Sequence, residues 1–265
     1  MSPLKVYLEG IGLLGPGLDG WAAAAPRLAR PEAYAQAPLA IPAPDCLPPA
    51  ERRRVGAQIR LALAVGREAA AHAQRDPATL ASVFSASAGD GDNCHAICET
   101  LASEDRALSP TRFHNSVHNA PAGYWGIAMK CMAPSTSLCA HDGSFAAGLL
   151  EAALQARATE SAALLVCADM PYPEPLHAVR PLAHGFGVAL VVAAAPGPQT
   201  LARLDLVPGG PAPTALPAAA LEALRLGNPS ARALPLLQAL ATAARGTVTL
   251  PYLDGCTLAV GIEPA

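Results

Sequence analysis

Short segments at residues 5–9, 82–87, 135–139, 162–168 and 187–193 have the length and residue types of strands. Several are apolar throughout rather than alternating, as expected of strands covered on both faces. Between the runs the apolar period lengthens. Residues 58–74 carry Ile59, Leu61, Leu63, Ala64 and Ala70, a spacing that predicts a crossover helix lying on the sheet. Residues 143–157 set Phe145, Leu149, Ala153 and Ala156 on one stripe, the core face of another helix, where Gly148 lets a neighbouring backbone come close. Strand–helix alternation of this kind predicts an α/β fold, a layered sheet with helices on both faces.

The pattern changes after residue 195. Residues 196–217 are dense in Pro, Gly and Ala and predict a loop or loosely structured connector. Residues 234–245 then read as a helix stopped by Gly246, followed by strands at 247–250 and 256–262 around a turn at Asp254 and Gly255. The expected organisation is a body at 1–195, a connector at 196–232, and a terminal helix and strands at 233–265 that complete the same domain.

Composition narrows the function classes. Of 265 residues 52 % are hydrophobic and only 15 % charged, which leaves little charge to cover a monomer and predicts obligate burial of a large face against a partner. A net charge of −3, with no basic cluster beyond Arg52, Arg53 and Arg54, argues against nucleic acid. That triplet is expected at the solvated start of a helix. No long apolar run precedes a small-residue cleavage site, so no signal peptide is expected, and the run at 188–195 is too short to span a membrane. Seven cysteines without framework spacing suit a reducing cytoplasm. Cys94 and Cys98 flank His95, but two thiols on one helix supply two ligands and no second pair follows at zinc-like spacing. Neither a metal nor a cofactor is expected.

The segment with the most chemistry is Pro134-Ser-Thr-Ser-Leu-Cys-Ala-His-Asp-Gly-Ser-Phe-Ala-Ala-Gly148, which reads as strand, sharp turn and helix. A reactive side chain at such an elbow faces its target together with free backbone N–H groups and the helix dipole. His141 and Asp142 stand at the helix start; Asp142 either caps the free N–H groups or lines a pocket with His141 and Gly143. Upstream, His114 and His118 are four apart and fit one side of a helix, where they are expected at an interface or in backbone hydrogen bonds, or else touching a ligand, an acyl carrier or a metal, and Asn115 and Asn119 are neutral amides suited to interface hydrogen bonding rather than proton transfer. Aromatics make up only 4 % of the chain, so Phe113, Tyr124 and Trp125 in one segment are candidate interface anchors.

Three motifs occur together. Val6-Tyr-Leu-Glu-Gly-Ile-Gly-Leu-Leu-Gly-Pro-Gly-Leu-Asp-Gly-Trp21, Ser109-Pro-Thr-Arg-Phe-His-Asn-Ser-Val-His-Asn-Ala-Pro-Ala-Gly-Tyr-Trp125 and the elbow resemble, in order, three segments of β-ketoacyl synthases. Leu47-Pro-Pro-Ala-Glu-Arg-Arg-Arg54 and Phe113-His-Asn-Ser-Val-His-Asn119 look closest to the short ketosynthase-like subunits of aryl polyene biosynthesis. The resemblance implies a thiolase-like layered fold, here the N-terminal half of a ketosynthase closed by an abbreviated remnant of the C-terminal half. Counting back from Gly148 by the family's spacing puts Ala140 at the nucleophile position, with Cys139 one residue too early. Successive strand side chains face opposite ways, so Cys139 is expected to turn from the pocket as a buried small hydrophobe, or to be reactive if a bulge moves it onto the turn. The two decarboxylation histidines of the family lie far beyond the elbow. No histidine follows His184 here, and His177 and His184 lie too near the elbow in sequence to occupy those family positions. By resemblance the chain is a catalytically silent, chain-length-factor-like subunit. It would pair with a full-length ketosynthase, meet acyl carrier protein through that complex, and form the floor of the acyl tunnel at Ala140, His141, Asp142 and Gly143. An active acyl-transfer or condensing enzyme using Cys139, and a purely structural stabiliser, are the alternatives.

Overall fold

A computed structural model describes residues 2–265. In chain order the elements are β1 (Leu4–Gly15), β2 (Leu18–Asp19), α1 (Trp21–Ala29), α2 (Pro49–Arg52), α3 (Ala57–His72), β3 (Ala81–Ser85), α4 (Gly91–Ala102), α5 (Pro110–Asn115), α6 (Ala120–Met129) and β4 (Ser135–Leu138). They continue with α7 (Ser144–Thr159), β5 (Ala162–Asp169), α8 (Leu176–Val179), β6 (Phe186–Ala193), β7 (Ala202–Pro208), α9 (Ala219–Leu226), α10 (Leu234–Ala241), β8 (Gly246–Leu253) and β9 (Cys256–Pro264). All strands join one mixed sheet in the order β4-β3-β5-β6-β1-β7-β9-β8, with β2 hairpinned onto β1. The β3–β4 and β3–β5 pairs are parallel and the others antiparallel.

Every residue of β5 and β6 is buried, because helices cover both faces of the sheet. One face packs Leu61, Val65, Ala69 and Trp125 of α3 and α6. The other packs Phe145, Leu149, Ala153 and Ala156 of α7, the stripe expected from its period, together with α1, α9 and α10. No helix among the described residues is long and apolar enough to cross a membrane.

Three elements differ from expectation. Strand β1 runs through Gly10 and Gly12 instead of stopping before them. A Cβ at either position would collide with the α3 backbone at the Ala69 or Val65 carbonyl, so these glycines are where the helix lies on the strand. The presumed connector contains β7 and α9. In β7, Ala202, Leu204 and Leu206 are buried and the polar residues between them are not, a period of two that the flanking Pro and Gly obscure. The last helix ends at Ala241, four residues before the expected Arg245, in a turn where Ala243 has positive φ. The closing strands and the turn at Asp254 and Gly255 form as expected.

Candidate functional site

Strand β4 forms the edge of the sheet and delivers the chain to the elbow. Its pairing with β3 ends at Ser85 and Leu138, so strand alternation does not reach Cys139. The turn follows at once: Ala140 has φ −142° and ψ 41°, and His141 is left-handed at φ 49°. Ser144 holds it from below. Its Oγ accepts the Ala140 N–H at 3.0 Å and lies 2.8 and 3.0 Å from the His141 and Ala86 carbonyl oxygens, to which it donates its one proton. Gly143 touches the closing hairpin, where a Cβ would sit on the Tyr252 carbonyl. Asp142 does not cap α7. Its carboxylate instead accepts from Arg180 Nη2 at 2.9 Å and lies 3.8 Å from Arg232 Nη2, because these two cations reach the turn from later in the chain. His141, which is exposed, rests its imidazole on Arg180. A cavity of about 630 Å³ opens in front of Ala140, His141, Asp142 and Gly143 and is closed opposite by Tyr252 and Cys256.

Behind the elbow lies a buried polar cluster. Asp169, 2 % exposed at the end of β5, accepts from the Ser87 N–H at 2.7 Å, Ser87 Oγ at 2.8 Å and Ser230 Oγ at 2.6 Å. Burial nevertheless holds its carboxyl above the usual range, with the Ser230 and Ser87 hydrogen bonds opposing. Cys167, 3.2 Å from Ser230 Oγ, is pushed up to about 12 by complete burial, which leaves an unreactive thiol.

The expected buried strand cysteine is not found. Cys139 is exposed just past the end of β4, and its sulfur lies 3.5 Å from Nε2 and 3.7 Å from Nδ1 of His118. Loss of hydration around the sulfur, and then the Asp169 charge, hold the thiol above its ordinary range. His114 and His118 do not share a helix: α5 ends at Asn115, which leaves His118 in the turn before α6. His114 meets Tyr124 edge-on. Asn115 is buried and structural, donating to the Arg54 carbonyl at 2.7 Å and accepting from Tyr124 Oη at 3.1 Å. Tyr124 and Trp125 are not free as anchors, because both rings are buried within the chain and Trp125 packs on Phe84 and Gly66. Phe113, 67 % exposed, remains free, as do exposed Val117, Asn119 and Met132, the last at 94 %. Arg180, Arg232, Asp169 and Ser230, all beside the elbow, carry no local motif and went unread in the sequence. No group of three or more metal-ligating side chains occurs among the described residues.

Residues 21–245 match the family model described as beta-ketoacyl synthase, N-terminal domain. A chain from the complex of the ketosynthase ApeO with its chain length factor ApeC, from Xenorhabdus doucetiae, superposes with a TM-score of 0.74 at 22 % identity, covering 97 % of this chain and 99 % of that one. A chain of the ishigamide ketosynthase/chain length factor gives 0.72 at 14 % identity over 98 % and 99 %. One from the type II complex AntDE:AntF, an acyl-carrier protein with its ketosynthase bound to the hexaketide, gives 0.77 at 10 % identity over the whole of both chains. At these identities the likeness speaks for the fold. Comparison with curated proteins returns no match. With a thiolase-like mixed sheet, the elbow motif and a family match over most of its length, this chain belongs to the β-ketoacyl synthase N-terminal-domain family.

Proposed function

We propose that this chain is a condensation-silent ketosynthase-like subunit, of the chain-length-factor kind, that pairs with a complete ketosynthase and bounds its acyl tunnel. The observation that carries this is Ala140 at the elbow turn. A condensing enzyme needs a thiolate there to hold the acyl chain, and donors nearby to stabilise the enolate left when malonyl loses carbon dioxide. Here a methyl group stands at the turn, and the side chains facing the cavity with it include His141 and Asp142, the latter held by Arg180 and Arg232. These cations are occupied by Asp142.

Pairing is supported by the edge strand. The outer side of β4 has no strand partner among the described residues, and exposed Phe113, Val117 and Met132 lie on the segment that leads into it. An unpaired strand edge beside apolar side chains is a surface that another chain can cover. The relatives in ketosynthase/chain-length-factor complexes favour a full-length ketosynthase as that chain. Acyl carrier protein would be met through the pair, in the cytoplasm, and the substrate would be a growing unsaturated acyl chain of the aryl polyene kind. Ala140 and His141 would form the tunnel floor.

Co-expression with a full-length ketosynthase followed by size-exclusion chromatography tests the pairing. A one-to-one complex is expected, and Phe113→Ser should weaken it by about 2 kcal/mol while leaving this chain's own unfolding midpoint in place. Two separate peaks for the unmodified proteins would remove the proposal.

A further inference from the structure

Cys139 is the one cysteine hydrogen-bonded to an imidazole among the described residues, and His118 has no other side-chain or backbone partner there. Sulfur lies nearly equidistant from both ring nitrogens and so off both in-plane lone-pair axes, and a rotation of the ring turns the unprotonated nitrogen of either tautomer onto the thiol. His118 also walls a small, mostly apolar cavity of about 20 Å³, lined by Ala62, Phe84, Pro121 and Val166 with Gln58 and Ser85 as its polar side chains. That volume holds about one water-sized group, enough for a methyl but not a long chain.

We propose that Cys139 and His118 form a nucleophile–base pair that adds covalently to small α,β-unsaturated carbonyl compounds. A His118 nitrogen takes the Sγ proton as sulfur bonds to the β-carbon of the electrophile, and the C=C electron pair moves into the enolate. The imidazolium then returns the proton to the α-carbon. One S–C and one C–H bond form, one S–H bond and one π bond break, and no leaving group, oxidant or reductant is needed. A soft sulfur nucleophile suits this electrophile, and an attached base removes the need for a preformed thiolate. Loss of hydration around the sulfur raises the Cys139 thiol, so the imidazole has to take the proton as sulfur attacks. The pair is open to small molecules in the unpaired chain, because His118 adjoins Val117 on the surface assigned above to the partner.

Cys94 and Cys98 are internal controls. Both are exposed, burial and the Cys98 neighbour raise the Cys94 thiol, and His95 beside them faces Glu99 at 3.3 Å. The full chain would be treated with 3-penten-2-one at pH 7, and the adduct at each cysteine followed by peptide-mapping mass spectrometry. Cys139 should react about ten-fold faster than Cys94 or Cys98, and both His118→Ala and the bulk-preserving His118→Gln should bring it to their rate. Continued protection of buried Cys131 and Cys167 confirms that each variant is folded. A Cys139 rate equal to that of Cys94, or one retained in folded His118→Gln, would overturn the proposal.

Discussion

Gly143 fixes the elbow against the closing hairpin, because only a residue without a Cβ lets the turn approach the Tyr252 carbonyl. A bulky residue there cannot gauge tunnel depth, since it meets backbone before it meets any cavity. Gly143→Ala should therefore lower stability by roughly 1–3 kcal/mol, read as a reduced denaturant midpoint; an unchanged midpoint would contradict the packing. The turn at Ala140 was legible from the strand–turn–helix pattern of one segment. Arg180 and Arg232 were not, since they approach Asp142 from distant elements and no local pattern marks them. The same limit explains Trp125: an aromatic in an apolar segment looks alike whether its ring enters the chain's own core or a partner's.

Elements built on a clear period were read well, as the α7 stripe and the fully buried β5 and β6 attest. Strand β7 escaped because Pro and Gly on either side resemble a connector, although its alternation is regular. Strand β5 also carries a titratable group into the core. Asp169 has a folded-state pKa raised above its unfolded value of about 3.9, so the folded chain keeps a proton that the unfolded chain has released. The stability contributed by this group is then lost as pH rises through that window, because the unfolded state binds fewer protons. Asp169→Asn removes the dependence. The difference in unfolding free energy between variant and wild type should move in the variant's favour as pH rises above about 4, and parallel curves would show that the carboxyl is not perturbed.

For the whole molecule, the α/β class, the covered sheet and the closing strands were legible, whereas their union in one continuous sheet was not. That union runs through β7, which pairs with β1 from nearly two hundred residues away, roughly the scale at which no local signal survives. It puts β4 at one edge of the sheet, leading to the elbow, and β8 at the other, where the Tyr252 backbone packs on Gly143. An elbow with a methyl group at its turn beside an open edge is consistent with a subunit that shapes a partner's condensation rather than running its own. The central claim is tested most directly by the length distribution of products made by complexes with a full-length ketosynthase at matched concentration, carrying the unmodified chain, His141→Trp or Leu149→Phe. His141 is exposed at the turn and Leu149 is buried in the core, so shorter products from His141→Trp alone, with Leu149→Phe lowering only the yield, are predicted. Identical length distributions from all three complexes would contradict the account.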